Sequence, residues 1–273
     1  MTSASRVADN IRLMPERLQV EYAALTDVGR KRSHNEDSFK VAPDEGLYLV
    51  ADGMGGHNAG EVASAMAVDV VSQFFVDARD EPTVSWPFKQ ARGERYDADT
   101  LGIAVQYANL RIYESSRESA ERRGMGTTFV GALVRHGAAW VAHVGDSRGY
   151  VVRAAGAIEP LTTDHSLLEE YRRTRPDLTD EQLRKFPYKN VITRALGMKP
   201  DVAVEMHRHE LHAGDVLLLC CDGLTGMLTD ERIAQIVKGH PTLTDACSAL
   251  VDEANQNGGL DNITVVLIRA FAA

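Results

Sequence analysis

The chain predicts an α+β fold with sheets packed on one another. Apolar strand-like runs cluster in the sequence, helical segments come in pairs, and no regular βαβ alternation is present. A doubly wound parallel sheet is therefore disfavoured. The length of 273 residues fits one compact domain, since α/β and all-β domains of about 200–250 residues are routine. No linker, low-complexity tract, fixed-period repeat or break in charge divides it.

Residues 1–15 read as a flexible tail before a single domain over 16–273, with no apolar stretch that resembles a signal peptide. Residues 18–26, LQVEYAALT, place Leu18, Val20, Tyr22 and Ala24 on one face, as a half-buried strand does. The polar turn DVGRKRSHNEDS follows, and then Leu47 to Ala51 reads as a buried strand. From Ala59, the residues Val62, Met66, Val70 and Phe74 recur at helical spacing. Residues 80–95, with Pro82 and Pro87, read as a surface loop, and a second long helix starts at Asp97. GTTFVGALVRHG and AAWVAHVG predict a hairpin about His136-Gly137, followed by the strand RGYVVRA and a turn at Gly156. Residues 163–190 are charged, contain Pro176 and Pro187, and are too long for a simple connection; they predict a functional loop or a small helical insertion. VAVEMHRHEL, DVLLLCC and NITVVLIRA are further strands, with helices from about Asp230 and Thr242 separating the last two.

A net charge of −9 disfavours general nucleic-acid binding, which needs a basic surface. It is compatible with metal cations. The cysteines Cys220, Cys221 and Cys247 read as small core hydrophobes. Their odd number, without framework spacing, points to a reducing compartment and so to the cytoplasm. No run approaches the ~20 apolar residues of a membrane span, so no membrane association is expected.

The chemistry sits at strand ends. LYLVADG ends an apolar run in Asp52-Gly53, LLLCCDG repeats the device at Asp222-Gly223, and AHVGDS does something similar at Asp146. One Asp-Gly is ordinarily a hairpin turn. Asp52, Asp222 and Asp261 all lie at edges of strongly apolar strands, and a buried carboxylate there is costly unless neutralised. Convergent carboxylates with few histidines suit hard cations such as Mg²⁺ or Mn²⁺. A pair of such ions can bind the attacking and leaving oxygens of a displacement and favours phosphate substrates. Arg32 precedes Glu36-Asp37 in RSHNED, and a guanidinium would complete a phosphate clamp; a solvated turn arginine is the alternative.

These segments resemble, in order and over Leu18 to Arg269, the metal-dependent (type 2C) Ser/Thr protein phosphatases, and the compact bacterial members most of all. The likeness is carried by DVGRKRSHNEDS, LYLVADGMGGHNAGEVAS, GMGTTFVGALV, AHVGDSRGYVVR, LTTDHSLLEE, NVITRALG, LLLCCDGLTGML and GGLDNITVVLI. The resemblance implies a four-layer α-β-β-α sandwich, with two antiparallel sheets flanked by helical pairs and metals in a cleft at one end. It implies that Asp52 bridges two Mn²⁺ or Mg²⁺ ions, that Asp222 and Asp261 complete one, and that Glu36 and the Gly53 carbonyl hold the other. Asp37 orients a bound water or contacts a metal through one, Arg32 holds the substrate phosphate, and Asn262, grouped with Arg32 on the substrate side, supports the site by hydrogen bonding. Asp146 with Asp222 match the ligands of a third ion in bacterial relatives. Residues 165–194 become a flap beside the cleft, where Arg172, Arg173, Arg175, Arg184, Lys185 and Lys189 either gate substrates or form a solvated charged loop.

Many eukaryotic relatives place His where this chain has Met54, so the general acid differs. A metal-bound water is the candidate, ahead of His57 and His165. GMGTTFV around Gly126 to Thr128 reads as a tightly packed strand entry, and His207, His209 and His212 as solvent-facing strand positions. The expected activity is hydrolysis of phosphoserine and phosphothreonine in proteins by direct attack of a metal-activated hydroxide. No phosphatase-type catalytic cysteine motif competes with it. The expected partners are phosphoproteins made by a Ser/Thr kinase, and the expected state is a monomer. The competing readings are a phosphatase for small phosphorylated metabolites and a catalytically silent phosphoprotein-binding regulator.

Overall fold

The computed structural model describes residues 18–272, apart from 56–58, 81–93, 176, 178, 180–181, 184–185 and 189–190. The tail, the Pro82–Pro87 segment, His57, Arg184, Lys185 and Lys189 lie outside the described residues. One sheet is built from β1 (Leu18–Asp27), β7 (Arg148–Val152), β8 (Ile158–Pro160), β10 (Val216–Cys220) and β11 (Ile263–Ala272), in the order β1-β11-β10-β7-β8. The other holds β2 (Asp37–Ala42), β3 (Leu47–Met54), β5 (Phe129–Arg135), β6 (Ala138–Val144) and β9 (Glu205–Glu210) in the order β2-β3-β5-β6-β9. The short β4 (Gly126–Thr127) pairs with the end of β3. All these pairings are antiparallel.

The central strands are apolar on both faces, which is why they read as continuous runs rather than alternating ones. In β3, Tyr48 and Val50 face the other sheet, while Leu47, Leu49 and Ala51 face helices α1 (Ala59–Asp80) and α2 (Glu94–Glu118). In β10, Leu217 and Leu219 point between the sheets. Val216, Leu218 and Cys220 point to α5 (Asp230–Gly239) and α6 (Leu243–Gln256). The result is the four-layer sandwich that the resemblance implies. Thr229 and Thr242 cap α5 and α6, accepting from Arg232 N and Asp245 N. The hairpin at His136-Gly137 has φ of 52° and 75° at these residues, the left-handed pair that a tight two-residue turn requires.

Several expectations need correction. By length and composition α1 is apolar enough to cross a membrane, although no such run was anticipated. Here its apolar side, with Ala63, Ala67, Val71 and Phe74, is buried in the helix–sheet core. The second helix begins at Glu94, not Asp97. GTTFVGALVRHG is broken at Thr128 into β4 and β5. The strand expected across VAVEMHRHEL spans only Glu205–Glu210, and β8 was not foreseen. The 163–190 region does carry a helical insertion, α3 (Leu167–Thr174), whose N-cap Ser166 accepts from Glu169 N. Ser166 with Glu169 is a capping-box pattern.

Leu219 is fully buried between the sheets. Leu219→Ala leaves a cavity in that layer and is expected to cost about 3 kcal/mol, read as a lowered urea midpoint; an unchanged midpoint contradicts this packing.

Candidate metal centre

The register of two neighbouring strands brings the first carboxylates together. Asp37 of β2 stands directly opposite Asp52 of β3. Directly opposed like charges destabilise an antiparallel pair, so this pair is not explained by sheet stability. Asp52-Gly53 lies inside β3, and neither Gly53 nor Gly223 is among the glycines of positive φ. The hairpin-turn alternative therefore fails at both sites. What both glycines permit is close approach. A Cβ on Gly53 would run into the Gly60 carbonyl and come within 2.6 Å of Glu36 O, and one on Gly223 would run into the Asn262 carbonyl. Asp222 is the first residue of a single-turn helix, α4 (Asp222–Thr225), which the sequence reading did not predict.

Electrostatics confirm that the carboxylates converge. Burial raises the Asp52 carboxyl well above its ordinary range, and the charges of Asp37, Asp222, Asp261 and Asp146 add to the rise. Burial also lifts Asp37 to about 6, with Asp222 and Asp261 contributing and a hydrogen bond from Thr264 opposing. It lifts Asp146 to about 7, with Asp222 and Asp164 contributing. Asp222 is raised by burial and Asp261, and is lowered by contact with Asp52 and by the Arg32 charge. Arg32 Nη2 donates to Asp261 Oδ2 at 2.6 Å and is half exposed at the mouth. Glu36 is nearby: its Oε1 meets His34 Nε2 at 3.1 Å, and its Oε2 would lie 2.7 Å from a Cβ placed on Gly60.

A shell that sequence reasoning largely missed holds these groups. Asn262 is buried; its Oδ1 accepts from Glu36 N at 2.8 Å, and its two amide hydrogens go to Val28 O and His34 O at 2.9 and 3.0 Å. Both amide hydrogens are thus spent on backbone, and Asn262 supports the site by hydrogen bonding, positioning the loop that carries Arg32 and Glu36. Thr264 Oγ1 donates to Asp37 Oδ2 at 2.6 Å and is itself linked to Thr26 and through it to Asn35. Thr128 Oγ1 accepts from Asp52 N, while Thr128 N and Thr127 Oγ1 both donate to Asp52 O. Gly126 to Thr128 is thus both a tight strand entry and the brace of Asp52. The consecutive Thr127-Thr128 of that motif was the one available signal.

His165 is buried, accepts from Gly145 N at 3.0 Å and stacks on His143 at 4.6 Å. Burial lowers both histidines. With Thr193 N donating to its carbonyl at 2.7 Å, His165 ties together the two stems of the 165–194 segment. These histidines and Glu205 cluster, but His143 Nε2 is spent on Thr163 O and the Arg194 guanidinium lies 2.9 Å from His165 Nε2, which opposes a cation there.

The residues present fit divalent cations. Asp37 Oδ1 and Asp222 Oδ1 are sealed from solvent without a hydrogen-bond partner, an arrangement that costs stability unless a cation answers it. The available donors are carboxylate oxygens, the set that Mg²⁺ and Mn²⁺ take. Cys221 lies within 4.8 Å of Asp37 and Asp52, but burial pushes its thiol far up, and Sγ donates to Asn262 O. It stays a neutral thiol rather than a thiolate ligand.

Comparison with known proteins agrees. The family model described as protein phosphatase 2C matches residues 28–261. A serine/threonine phosphatase, stp, of Listeria monocytogenes is 38% identical over 246 residues, covering 89% of this chain and 93% of that one. The crystal structure of the serine/threonine phosphatase PstP/Ppp of Mycobacterium tuberculosis superposes with a TM-score of 0.80 at 32% identity, covering 93% of this chain and 99% of that one. The PstP catalytic domain in complex with two manganese ions gives 0.78 at 31% identity, again covering 93% and 99%. The chain belongs to the protein phosphatase 2C family.

The raised carboxyl groups make a pH prediction. Their folded pKa values, about 6 for Asp37 and about 7 for Asp146, exceed the unfolded value of 3.8. Folded chain therefore keeps protons that unfolded chain has released, and this stability, full below about pH 4, is lost as pH rises through about 6 to 7. In chelator, the melting temperature is expected to fall between about pH 5 and pH 7, and Mn²⁺ to restore it at pH 7. Asp52→Asn should flatten the fall and abolish the Mn²⁺ response. A melting temperature that rises over this interval, equally in both proteins, contradicts the crowding.

Proposed function

We propose that this protein phosphatase 2C family member is a metal-dependent phosphatase that hydrolyses phosphoserine and phosphothreonine in proteins. The observation that carries the reading is the convergence of Asp37, Asp52, Asp146, Asp222 and Asp261 beneath an exposed guanidinium, with two sealed carboxylate oxygens unpartnered. Asp52 lies centrally enough to feel all four other aspartates and suits a bridging role. Asp222 and Asp261 would hold one cation, Glu36 with the Gly53 carbonyl the other, and Asp146 with Asp222 a third; either Mn²⁺ or Mg²⁺ would suit the oxygen donors.

Divalent cations held there supply Lewis-acid activation of water and neutralise the charge of the phosphoryl oxygens. The chain's own residues do the rest. Arg32 offers a planar fork to two phosphate oxygens, and its ion pair with Asp261 holds it over the cluster until an anion arrives. Asp37 keeps one oxygen on Thr264, and its other, buried oxygen would face a cation or a water that the cation holds. Met54 cannot donate a proton, and His165 is buried with Nδ1 accepting from Gly145 N and Nε2 engaged by Glu205 and Arg194, so neither serves the leaving oxygen directly. The three free, buried cysteines support a reducing, cytoplasmic setting. Phosphoproteins made by a Ser/Thr kinase are the substrates, and a monomer suffices for the site described.

The test is release of inorganic phosphate from a phosphothreonine peptide by metal-stripped protein, with Mn²⁺ or Mg²⁺ added back. Wild type is expected to recover activity, and Asp222→Ala to lose on the order of a hundredfold or more while melting cooperatively. Full activity of Asp222→Ala rejects the site. Asn262→Ala is expected to lower turnover roughly tenfold to a hundredfold through the loop that it holds. A loss confined to KM for the phosphopeptide would return Asn262 to the substrate.

A further inference from the structure

Beyond Asp52 the end of β3 borders a second feature. A cleft of about 480 Å³ opens beside Met54, between that strand end and the returning segment 192–203. Its wall is held in one shape. Leu196 exchanges both backbone hydrogen bonds with Thr127, at 3.2 and 2.9 Å. Asn109 of α2 is buried; it accepts from Gly197 N at 2.8 Å and donates to Lys199 O and Pro200 O at 3.0 Å each. Gly197 has φ of +84° and leaves no room for a side chain against Ile112. A buried amide spent entirely on one loop rigidifies it.

The lining has a definite chemistry. Met54, Ile192 and Met198 give apolar surface, and Met198 remains 52% exposed. Arg194 is fixed in place, with Nη1 donating to Ala203 O at 3.1 Å and lying 2.9 Å from His165 Nε2. Lys199 is exposed, and among the described residues its ammonium enters no hydrogen bond or ion pair. Among the described residues, Asp201 is the single acid in the lining. Two cations to one carboxylate make a locally basic pocket on a chain of net charge −9.

We infer that this cleft receives an acidic side chain of the substrate polypeptide, placed near the phosphoserine or phosphothreonine in its sequence. The inference rests on the phosphatase reading above. A peptide whose phosphate reaches Arg32 and the aspartates continues away at about 3.3 Å per residue, so a near neighbour enters a pocket that begins at Met54. Its aliphatic stem lies on Met54, Ile192 and Met198, and its carboxylate meets Lys199 and Arg194. A basic side chain at the same place is repelled, so the pocket discriminates by repulsion as well as attraction. Lys199 is the specificity-determining residue, because Arg194 is already engaged with the backbone.

The experiment uses the Mn²⁺-loaded full chain and matched phosphothreonine peptides that differ by Glu, Gln or Lys at one flanking position at a time. An aryl phosphate is assayed alongside. At one flanking position Glu is expected to raise kcat/KM over Gln on the order of fivefold, through KM, and Lys to lower it. Lys199→Gln is expected to erase that preference and Lys199→Glu to invert it, and added salt to shrink it in wild type. Equal kcat/KM for Glu, Gln and Lys at every position overturns the pocket and leaves the phosphatase reading standing. So does a Glu preference unchanged in Lys199→Glu. Hydrolysis of the aryl phosphate with none of the peptides overturns both.

Discussion

Mutual repulsion among buried carboxylates is the interaction on which the rest of this structure depends. Asp37 and Asp52 are paired across two strands, and Asp222, Asp261 and Asp146 are close enough to push Asp52 further up. Left alone, such a group protonates or opposes folding. Apolar strands packed on both faces give the cluster a rigid frame, because a sandwich core resists the small displacements that would relieve the repulsion. The cost is borne by large hydrophobic layers on either side, and it is recovered when cations bind folded but not unfolded chain.

Around the cluster, backbone contacts matter as much as charges. Gly53 lies against Gly60 and Glu36, Gly223 lies against Asn262, and Asn262 fastens the loop that carries Arg32 and Glu36. Strands from both sheets and two loops distant in sequence are thereby locked into one end of the sandwich. Thr127, Thr128 and Thr264 fix the backbone of Asp52 and one oxygen of Asp37. The chemistry is thus held by a shell of short polar side chains whose own partners are mainly backbone, an arrangement that keeps the first ligands oriented.

Much of the fold was legible in the sequence because doubly buried strands are conspicuous. Leu47 to Ala51, Val216 to Cys220 and Ile263 to Ala270 could hardly be anything else. Their ends marked Asp52, Asp222 and Asp261. Less legible were features set by tertiary geometry. A three-residue edge strand such as Ile158–Pro160 has too few positions to display a period. The turn of helix at Asp222 places Gly223 against the Asn262 carbonyl, a close approach that no local pattern reveals. Asn262 was found by its neighbour in sequence, yet its role followed only from seeing Val28, His34 and Glu36 around it. Asn109 and Thr264 carried no signal, since a buried polar residue in an apolar segment is informative only once its partners are known.

The most direct measurement is equilibrium binding of Mn²⁺ to metal-stripped protein at neutral pH, by calorimetry, for wild type and Asp52→Ala. A centre built on converging carboxylates predicts more than one ion per wild-type chain, as two-metal sites require. It also predicts that the tight sites disappear in the folded Asp52→Ala protein. Undiminished Mn²⁺ binding in Asp52→Ala, or none in wild type, contradicts it and leaves the crowded aspartates without a physical reason.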